Sequence, residues 1–446
     1  MTIRFKLLLL WSLLICAAGV LMNLEGCGAD PSIPPPPPKS KIHHIVIIFQ
    51  ENRTPDNLFQ GLPNADIAAS GLNSQGQTIP LVAMPLAVNY DMTHTHPSFV
   101  KMYDNGKMDG ADLIPVTCKS DDPPCPPANP QFGYANPSEV APYMQLAKQY
   151  TFADRMFQTN QGPSFPAHQF IISGTSAPSS TSHLFASENT IEPGQLGPPA
   201  GCDAPQDVYV PLIDPSGDES RTMYPCFEHA TLMDRLDAEN ISWRYYAPSA
   251  GSIWTAPNAI QHLRSGPDWN NVILDPPQVL KDVRDGNLTA VSWVIPAAAY
   301  SDHAGSNEGS GPAWVASIVN AIGSSPYWAD TAILISWDDW GGWYDHVAPT
   351  IFNSYEYGFR VPLIVVSPYA KPGYVSHLQH DFGSILKFIE TNWGLTSVGF
   401  ADTRADDLSD CFDFTQAPLS FQLIAAPLNA DHFLNDKRPM GDPDDD

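Results

Sequence analysis

The stretch TAILISW, residues 331–337, contains no charged side chain and is followed at once by Asp338 and Asp339. A short apolar run of this kind is typical of a strand that is buried on both faces of a sheet. Two adjacent carboxylates repel each other unless a cation neutralises them or their pKa values rise. Gly341 and Gly342 allow a close backbone turn beside them. The stretch predicts a buried central strand that ends in a metal-binding pair; a solvated turn is the alternative.

Three further apolar runs have the same character, at residues 42–49 (IHHIVIIF), 290–295 (AVSWVI) and 361–366 (VPLIVV). Segments with helical spacing of apolar residues alternate with them, at residues 137–150, 312–322 and 381–393. This alternation predicts an α/β fold with a mostly parallel central sheet and helices on both faces. Because ligands bind at the carboxyl ends of such strands, we expect a site where polar residues follow the runs.

Composition limits the possible partners. The chain has 446 residues, with 48 acidic and 22 basic side chains, and a formal net charge of −26. Nucleic-acid affinity comes largely from cations that neutralise phosphates, so this charge argues against nucleic-acid binding. Residues 60–130 and 178–225 are rich in Pro, Gly, Asp and Ser and predict long loops that cap the sheet. We expect one domain over residues 42–435 and an acidic tail over residues 436–446.

The N-terminus predicts export. Arg4 and Lys6 precede an apolar run at residues 7–22, which is shorter than the ~20 residues that a membrane-spanning helix prefers. The following LEGC resembles a bacterial lipobox, which predicts a lipoprotein-type signal peptide over residues 1–26 and a lipid anchor at Cys27. Simple cleavage, which gives a periplasmic or secreted protein, and an uncleaved anchor are the alternatives. No other attachment to a membrane is expected.

Five consecutive prolines, residues 34–38, predict a stiff polyproline II stalk within residues 27–41. A disordered leader without a role is the alternative.

Four cysteines lie in Pro- and Asp-rich loops and lack the Cys-x-x-Cys spacing of a metal site. In an oxidising compartment we expect the disulfides Cys118–Cys125 and Cys202–Cys226, each of which closes a short loop. Cys411 is then left as a buried thiol.

Candidate ligands and a candidate nucleophile follow the predicted strands and open a predicted helix. Glu51 and Asn52 come after the first apolar run and offer the hard oxygen ligands that divalent cations prefer; a pair that caps the next turn is the alternative. Ser164 precedes FPAHQFIISG, which has the character of a helix. At a helix N-terminus the N–H groups stabilise an anion, so Ser164 is a candidate nucleophile; an ordinary N-cap serine is the alternative.

Histidines recur beside acidic or polar residues after the strands. Imidazole can bind metal, hold a phosphate oxygen or protonate a leaving group, whereas a single histidine is most often structural. The catalytic candidates are His94, His96, His303 and His346, with His380 a weaker one.

Five segments together resemble the phosphoesterase family. They are IHHIVIIFQENRTPDNLFQG, TNQGPSFPAHQFIISG, ISWDDWGGWYDHV, YGFRVPLIVVSPYAK and HDFGSILKFIETNWGL. That family contains bacterial phospholipases C that cleave phosphatidylcholine and certain acid phosphatases, and its core is similar to that of the alkaline phosphatase superfamily. The resemblance implies that residues 42–435 are one phosphoesterase catalytic domain.

The resemblance also implies roles for particular residues. The metal ligands would be Glu51, Asn52, Ser164, Asp338 and Asp339. Ser164 would also be the nucleophile and would form a phospho-enzyme. His303 and one of His94 or His96 would bind phosphoryl oxygens or act as an acid. We favour one divalent metal ion; a second ion held by Asp302, His346 and His380 is the alternative.

Two substrate classes stay open, a small phosphate ester and a phospholipid. The resemblance favours an acid phosphatase, since the lipase branch commonly has Thr at the nucleophile position. An acidic pH optimum would reduce repulsion between substrate and protein. A phospholipase C would need an aromatic cage for choline, for which the candidates are Trp254, Trp269, Trp340, Trp343 and Tyr344. A non-catalytic surface binding lipoprotein is the remaining alternative.

Overall fold

The computed structural model describes residues 34–119, 125–191 and 199–441. The predicted signal peptide, Cys27 and the last five residues of the predicted acidic tail lie outside the described residues. Their predictions therefore stay predictions.

Within the described residues, eight strands form one large sheet. They are β1 (His44–Gln50), β2 (Thr151–Ala153), β3 (Trp243–Tyr246), β4 (Val272–Ile273), β5 (Val291–Val294), β6 (Thr331–Trp337), β7 (Leu363–Val366) and β8 (Tyr374–Ser376). Their order in the sheet is β4-β3-β5-β1-β6-β7-β2-β8. Every neighbouring pair is parallel except the two pairs that involve β7. The predicted α/β class with a mostly parallel sheet is confirmed.

The two central strands are buried along almost their whole length. All seven residues of β6 are buried, as are six of the seven residues of β1. A strand with both faces covered cannot alternate apolar and polar side chains, which is why these runs are continuously apolar in the sequence. The predicted strands at residues 42–49 and 290–295 are present with slightly different bounds.

Strand β7 corrects one expectation. It runs antiparallel to both β6 and β2, so Ser367 and Pro368, which follow it, lie at the edge opposite Asp338. The connection from Trp337 to Leu363 contains no helix. A parallel return needs a crossover, usually helical, so this connection brings the chain back antiparallel. Arg360, just before β7, therefore lies at the edge where β6 ends.

The helices pack in two groups, as expected when helices cover both faces of a sheet. Within the described residues the helices are α1 (Pro55–Leu58), α2 (His96–Tyr103), α3 (Ala141–Gln149), α4 (Ser164–Ser173), α5 (Leu232–Ala238), α6 (Gln261–Ser265), α7 (Gln278–Arg284), α8 (Gly311–Gly323), α9 (Phe382–Trp393) and α10 (Ala430–Asn435). Helix α4 contacts α5 and α9, whereas α8 contacts α3, α7 and α10. Among them, none combines the length and the apolar character needed to cross a bilayer.

The predicted cap loops contain short strands and an apolar cluster of their own. Residues 70–135 form three two-stranded pairs, and residues 185–223 form a three-stranded sheet. The cluster beneath the first segment includes Met92, Phe99, Trp340 and Trp343. The first of these segments therefore buries apolar surface against the residues that follow β6.

Both predicted disulfides are present, Cys118–Cys125 and Cys202–Cys226. Of the cysteines that the structure describes, Cys411 is the one outside a disulfide, and it is buried as expected.

Both ends of the described chain are attached to the domain. The Lys39 amide donates to the Asn392 carbonyl oxygen (2.6 Å), and the Ser40 hydroxyl donates to Asn392 Oδ1 (2.6 Å), in the last turn of α9. At the other end, Asp436 accepts a hydrogen bond from the Tyr300 hydroxyl (2.5 Å). The described part of the predicted acidic tail is therefore bonded to the body of the domain.

Candidate active site

The two predicted ligand pairs lie side by side at one edge of the sheet. Glu51 and Asn52 directly follow β1, Asp338 and Asp339 directly follow β6, and the last residues of these parallel strands are paired. All four side chains are at most 1% exposed. A solvated turn, the alternative for Asp338 and Asp339, does not fit this burial.

The backbone at Asn52 has an unusual conformation that brings the two pairs together. Asn52 has a φ of 63°, in the left-handed region that asparagine tolerates better than most residues. The main-chain N–H of Asn52 donates to Asp338 Oδ1 (3.0 Å). A Cβ on Gly341 would lie 2.5 Å from the Asn52 carbonyl oxygen, so the glycine allows this close approach.

Ser164 is the first residue of α4, and its hydroxyl donates to Asp339 Oδ2 (3.2 Å). The hydroxyl does not cap the helix. Instead, the amide of Phe165 donates to Asn189 Oδ1 (2.9 Å). The alternative of an ordinary N-cap serine is therefore wrong, and Ser164 lies against the carboxylate cluster.

His168 also contacts this cluster, although it is not among the residues that the sequence predicts for the site. Its Nε2 lies 3.3 Å from Glu51 Oε1 and 3.8 Å from Asp338 Oδ2. Burial lowers the pKa of His168 to about 4, which favours the neutral ring. The available signal was spacing: His168 is four residues after Ser164, so both side chains project from the same face of a helix.

His94 and His303 lie close together. Their ring centroids are 5.9 Å apart, and both side chains are fully buried. Nδ1 of His94 donates to the Met92 carbonyl oxygen (2.8 Å), and Nδ1 of His303 donates to the Ala304 carbonyl oxygen (2.7 Å). The side-chain NH₂ group of Asn52 donates to Nε2 of His94 (3.0 Å). This bond joins the histidine pair to the carboxylate cluster.

His96 has different contacts. Its Nδ1 is bonded to the Glu219 carboxylate, and its amide donates to Glu188 Oε1 (3.0 Å). Of the two alternatives His94 and His96, the structure therefore joins His94 to Asn52.

His346 belongs to a separate group. Its Nδ1 lies 2.8 Å from Asp56 Oδ2 and its Nε2 lies 3.1 Å from Asp66 Oδ1. Arg360 pairs with Asp345 in the same group (2.9 Å). These contacts give His346 an ion-pairing environment, and they do not support the predicted catalytic role.

The alternative second metal site does not form from the residues expected for it. Asp302 accepts hydrogen bonds from the Tyr143 hydroxyl (2.9 Å) and from Trp337 Nε1 (3.0 Å), and burial raises its pKa to about 6. His346 lies in the group described above, and His380 is bonded to Asp406 (2.9 Å). The three side chains thus lie in three different environments.

The residues around Asp338 fit one divalent cation. Asn52 Oδ1 and Asp338 Oδ2 are buried and have no hydrogen-bond partner among the described residues. Ligand atoms of Glu51, His168 and Asp338 lie within 4.8 Å of one another. Three buried carboxylates beside a neutral imidazole concentrate negative charge, which a cation would neutralise.

Comparison with known proteins places the chain in a family. Residues 42–396 match the profile described as "Phosphoesterase family". The chain belongs to the phosphoesterase family. This phosphoesterase is 24% identical over 439 residues to the non-hemolytic phospholipase C of Pseudomonas aeruginosa, a match that covers 84% of this chain and 57% of that protein. It is 22% identical over 470 residues to phospholipase C B of Mycobacterium tuberculosis, covering 90% and 84% of the two chains.

The phosphoesterase spans little more than half the length of the Pseudomonas relatives that it matches (57% and 56%). Among solved structures, it is similar to a protein in the alkaline phosphatase superfamily from Vibrio parahaemolyticus. The TM-score is 0.36 and the identity 9%, over 84% of this chain and 74% of that chain.

The five aromatic side chains considered for a choline cage have different surroundings. The ring of Trp254 lies 6.3 Å from that of His303 and 6.4 Å from that of His168. Trp340, Trp343 and Tyr344 belong to the apolar cluster of the first cap segment, and Trp269 packs against Arg264. Trp254 is therefore the member of the five that borders the histidines.

Proposed function

We propose that the protein is a metal-dependent phosphoric ester hydrolase in which Ser164 is the nucleophile. The observation that carries this proposal is the hydrogen bond from Ser164 Oγ to Asp339 Oδ2 (3.2 Å), at the first residue of α4. It places a hydroxyl beside a buried cluster of oxygen ligands and at the positive end of a helix. The names of the Pseudomonas and Mycobacterium relatives support the same reaction class.

Glu51, Asn52, Asp338 and Asp339 would hold the metal ion together with Ser164. A bound divalent cation lowers the pKa of a hydroxyl and neutralises charge that develops on a phosphoryl group. His168, in contact with Glu51 and Asp338, would fix the orientation of these carboxylates.

Ser164 then attacks phosphorus in line with the departing alcohol. The O–H bond of Ser164 breaks and its proton passes to the Asp339 carboxylate, the bond from Oγ to phosphorus forms, and the ester bond breaks. The departing alcohol takes up a proton from a protonated histidine of the site or from water. Water subsequently cleaves the phosphoserine and releases inorganic phosphate. Asp339 orients the hydroxyl before the attack, since it accepts the hydroxyl's hydrogen bond.

His94 and His303 would contact the phosphoryl oxygens or protonate the leaving group. The main-chain carbonyl of Ala304 holds Nδ1 of His303, so we expect the substrate to meet Nε2 of that ring. Nε2 of His94 accepts from the Asn52 side chain, which fixes the neutral ring relative to the ligand cluster. His94 would donate to a phosphoryl oxygen only after its ring is protonated, when Asn52 can no longer donate to Nε2. Protonated rings bind phosphate oxygens best, which favours activity at acidic pH.

A phosphate monoester is the substrate class that we favour. Ser164 stands where the lipase branch of the resemblance commonly has Thr, and of the five candidate cage residues Trp254 is the one whose ring borders His168 and His303. A phospholipase C-like diesterase is the second candidate, because the relatives at 22–24% identity carry that name.

The test is hydrolysis of p-nitrophenyl phosphate and p-nitrophenyl phosphorylcholine from about pH 4 to about pH 9, with and without a chelator. Wild type, Ser164→Ala and the control Ser173→Ala, at the far end of α4, are compared. We expect monoester turnover below pH ~7 that Ser164→Ala loses and Ser173→Ala keeps. Turnover of the diester alone would select the second candidate, and no turnover of either by folded, metal-loaded protein would contradict both.

We also infer that the protein is exported. The two disulfides support this, since such bonds persist in oxidising compartments. Fractionation of cells that express wild type and Cys27→Ser tests both export and the lipid anchor. Loss of membrane association in the variant would support the anchor, and retention of both proteins in the cytoplasm would contradict export.

A further inference from the structure

A second cluster of metal-ligating side chains lies at the edge strand β8. His380, Asp410 and Cys411 offer a ring nitrogen, a carboxylate oxygen and a thiol, and these atoms all lie within 4.8 Å of one another. His380 and Cys411 are buried, and Asp410 is partly exposed, which leaves a route for an ion. Cys411 is the described cysteine that forms no disulfide.

The spacing of these atoms resembles that of ligands around one ion. His380 Nε2 lies 3.5 Å from Asp410 Oδ1, and Cys411 Sγ lies 3.6 Å from the same oxygen. Tetrahedral zinc has bonds of roughly 2.0 Å to nitrogen and oxygen and roughly 2.3 Å to sulfur, which places neighbouring ligands about 3.3–3.5 Å apart. Two of the three ligand pairs therefore already have a spacing close to that around zinc, and the third lies within 4.8 Å.

The ring of His380 is held in the orientation that a ligand requires. Its Nδ1 donates to Asp406 Oδ1 (2.9 Å), so Nε2 faces Asp410 and Cys411. A carboxylate that accepts the other N–H of the ring is the usual companion of a metal-binding histidine. Ser376 Oγ lies 3.2 Å from the same Nε2, but a short bond to Asp410 already uses its hydrogen.

We propose that His380, Asp410 and Cys411 form a structural site for Zn²⁺. The fourth position belongs to the Ser376 hydroxyl oxygen or to a water molecule. On binding, the Cys411 S–H bond breaks, a bond from sulfur to zinc forms, and the proton leaves to solvent. A nitrogen, oxygen and thiolate set selects zinc over Mg²⁺ or Ca²⁺, which prefer oxygen ligands alone.

This site is distinct from the proposed hydrolytic site. Strand β8 is separated from β6 by β7 and β2, three strand spacings of about 4.8 Å each, or about 14 Å. The ion would join His380, two residues before α9, to Asp410 and Cys411, with Ser376 at the end of β8 beside it. Within residues 406–411 the structure shows a single 3₁₀ turn, Ser409–Cys411. The zinc would therefore stabilise a segment that has little regular secondary structure.

The experiment measures zinc in purified protein by mass spectrometry, and then the absorption of Co²⁺-substituted protein. The variants are Asp338→Asn, which disrupts the proposed hydrolytic site; Cys411→Ser; and the control Asp407→Asn, whose carboxylate accepts a bond from the Ser409 amide. We expect Asp338→Asn and Asp407→Asn to keep one zinc ion and the charge-transfer band from thiolate to cobalt. Cys411→Ser should lose both that ion and the band.

Absence of the band in wild type, or loss of all zinc in Asp338→Asn, would overturn the proposal and leave His380 as a histidine that contacts Asp406 and Asp410.

If Cys411→Ser does not fold, an alkylation experiment on wild type still tests the site. Zinc should slow alkylation of the Cys411 thiol in mild denaturant at least about tenfold relative to protein with chelator; equal rates would contradict the site. Both readouts are independent of hydrolytic activity.

Discussion

Ser164 and His168 lie one helical turn apart on α4, and each contacts a carboxylate that follows a different central strand. Ser164 donates to Asp339, after β6, and His168 contacts Glu51, after β1. The helix therefore bridges the ends of both strands. This arrangement couples the position of the proposed nucleophile to that of the proposed metal ligands.

Replacement of His168 tests this coupling. His168→Phe should lower the affinity for the divalent metal about 10–100-fold, as is typical for groups that orient ligands. His168→Gln keeps a donor and should recover part of the affinity. The affinity is measured by competition with a chromophoric chelator, and His229→Phe, a buried histidine elsewhere, is the control. Unchanged affinity in His168→Phe would reduce His168 to a packing residue.

Asn52 allows its backbone and its side chain to be tested separately. Both Asn52→Gly and Asn52→Ala remove the amide oxygen and should bind metal more weakly. Only alanine is strained at a φ of 63°, so Asn52→Ala should be about 1–2 kcal/mol less stable than Asn52→Gly. Urea unfolding without metal measures this difference. Equal stability of the two variants would show that the left-handed backbone is not retained.

Asp302 predicts a pH dependence of stability. Burial raises its pKa from 3.8 to about 6, so the native state holds this proton more tightly than the unfolded chain. The native state is therefore favoured below about pH 4, and this advantage disappears as the pH rises through about 6. Asp302→Asn does not titrate, so its stability relative to wild type should increase by up to about 3 kcal/mol between these pH values. Paired urea titrations at about pH 4 and about pH 8 measure the change, and a pH-independent difference would contradict it.

His346 should be dispensable for turnover. Its ring contacts Asp56 and Asp66, so His346→Gln should change kcat/KM less than about threefold, whereas a general acid contributes about 10²–10⁴-fold. The midpoint of urea unfolding should move to a lower urea concentration, because Asp56 loses its contact with the His346 ring. A loss of kcat/KM of about a hundredfold at unchanged metal content would restore the catalytic role that the sequence predicts.

The sequence was sufficient for the central strands and for the buried polar residues that directly follow them. Continuous apolar runs mark β1 and β6, and the position after a strand is a local property. The direction of β7 is not local, because an apolar run is the same whether its neighbour is parallel or antiparallel.

The histidines show the same limit. His346 follows an Asp in the sequence, but its partners Asp56 and Asp66 come from a segment about 280–290 residues earlier. His168 lies within a helix, so the pattern of polar residues that follow apolar strands does not identify it. Spacing along α4 identifies it only once Ser164 is taken as a reference.

The bonds of Lys39 and Ser40 to Asn392 have a consequence for how the molecule would be oriented. They hold the incoming chain near the start of β1, whereas Glu51 lies beyond its end, seven residues or about 23 Å away along the strand. If the lipid that the sequence predicts at Cys27 is present, residue 39, where the described chain is first bonded to α9, lies at the edge of the sheet opposite the proposed hydrolytic site. The edge attached to the anchor and the edge that carries the proposed catalytic residues would then be two different sides of the molecule.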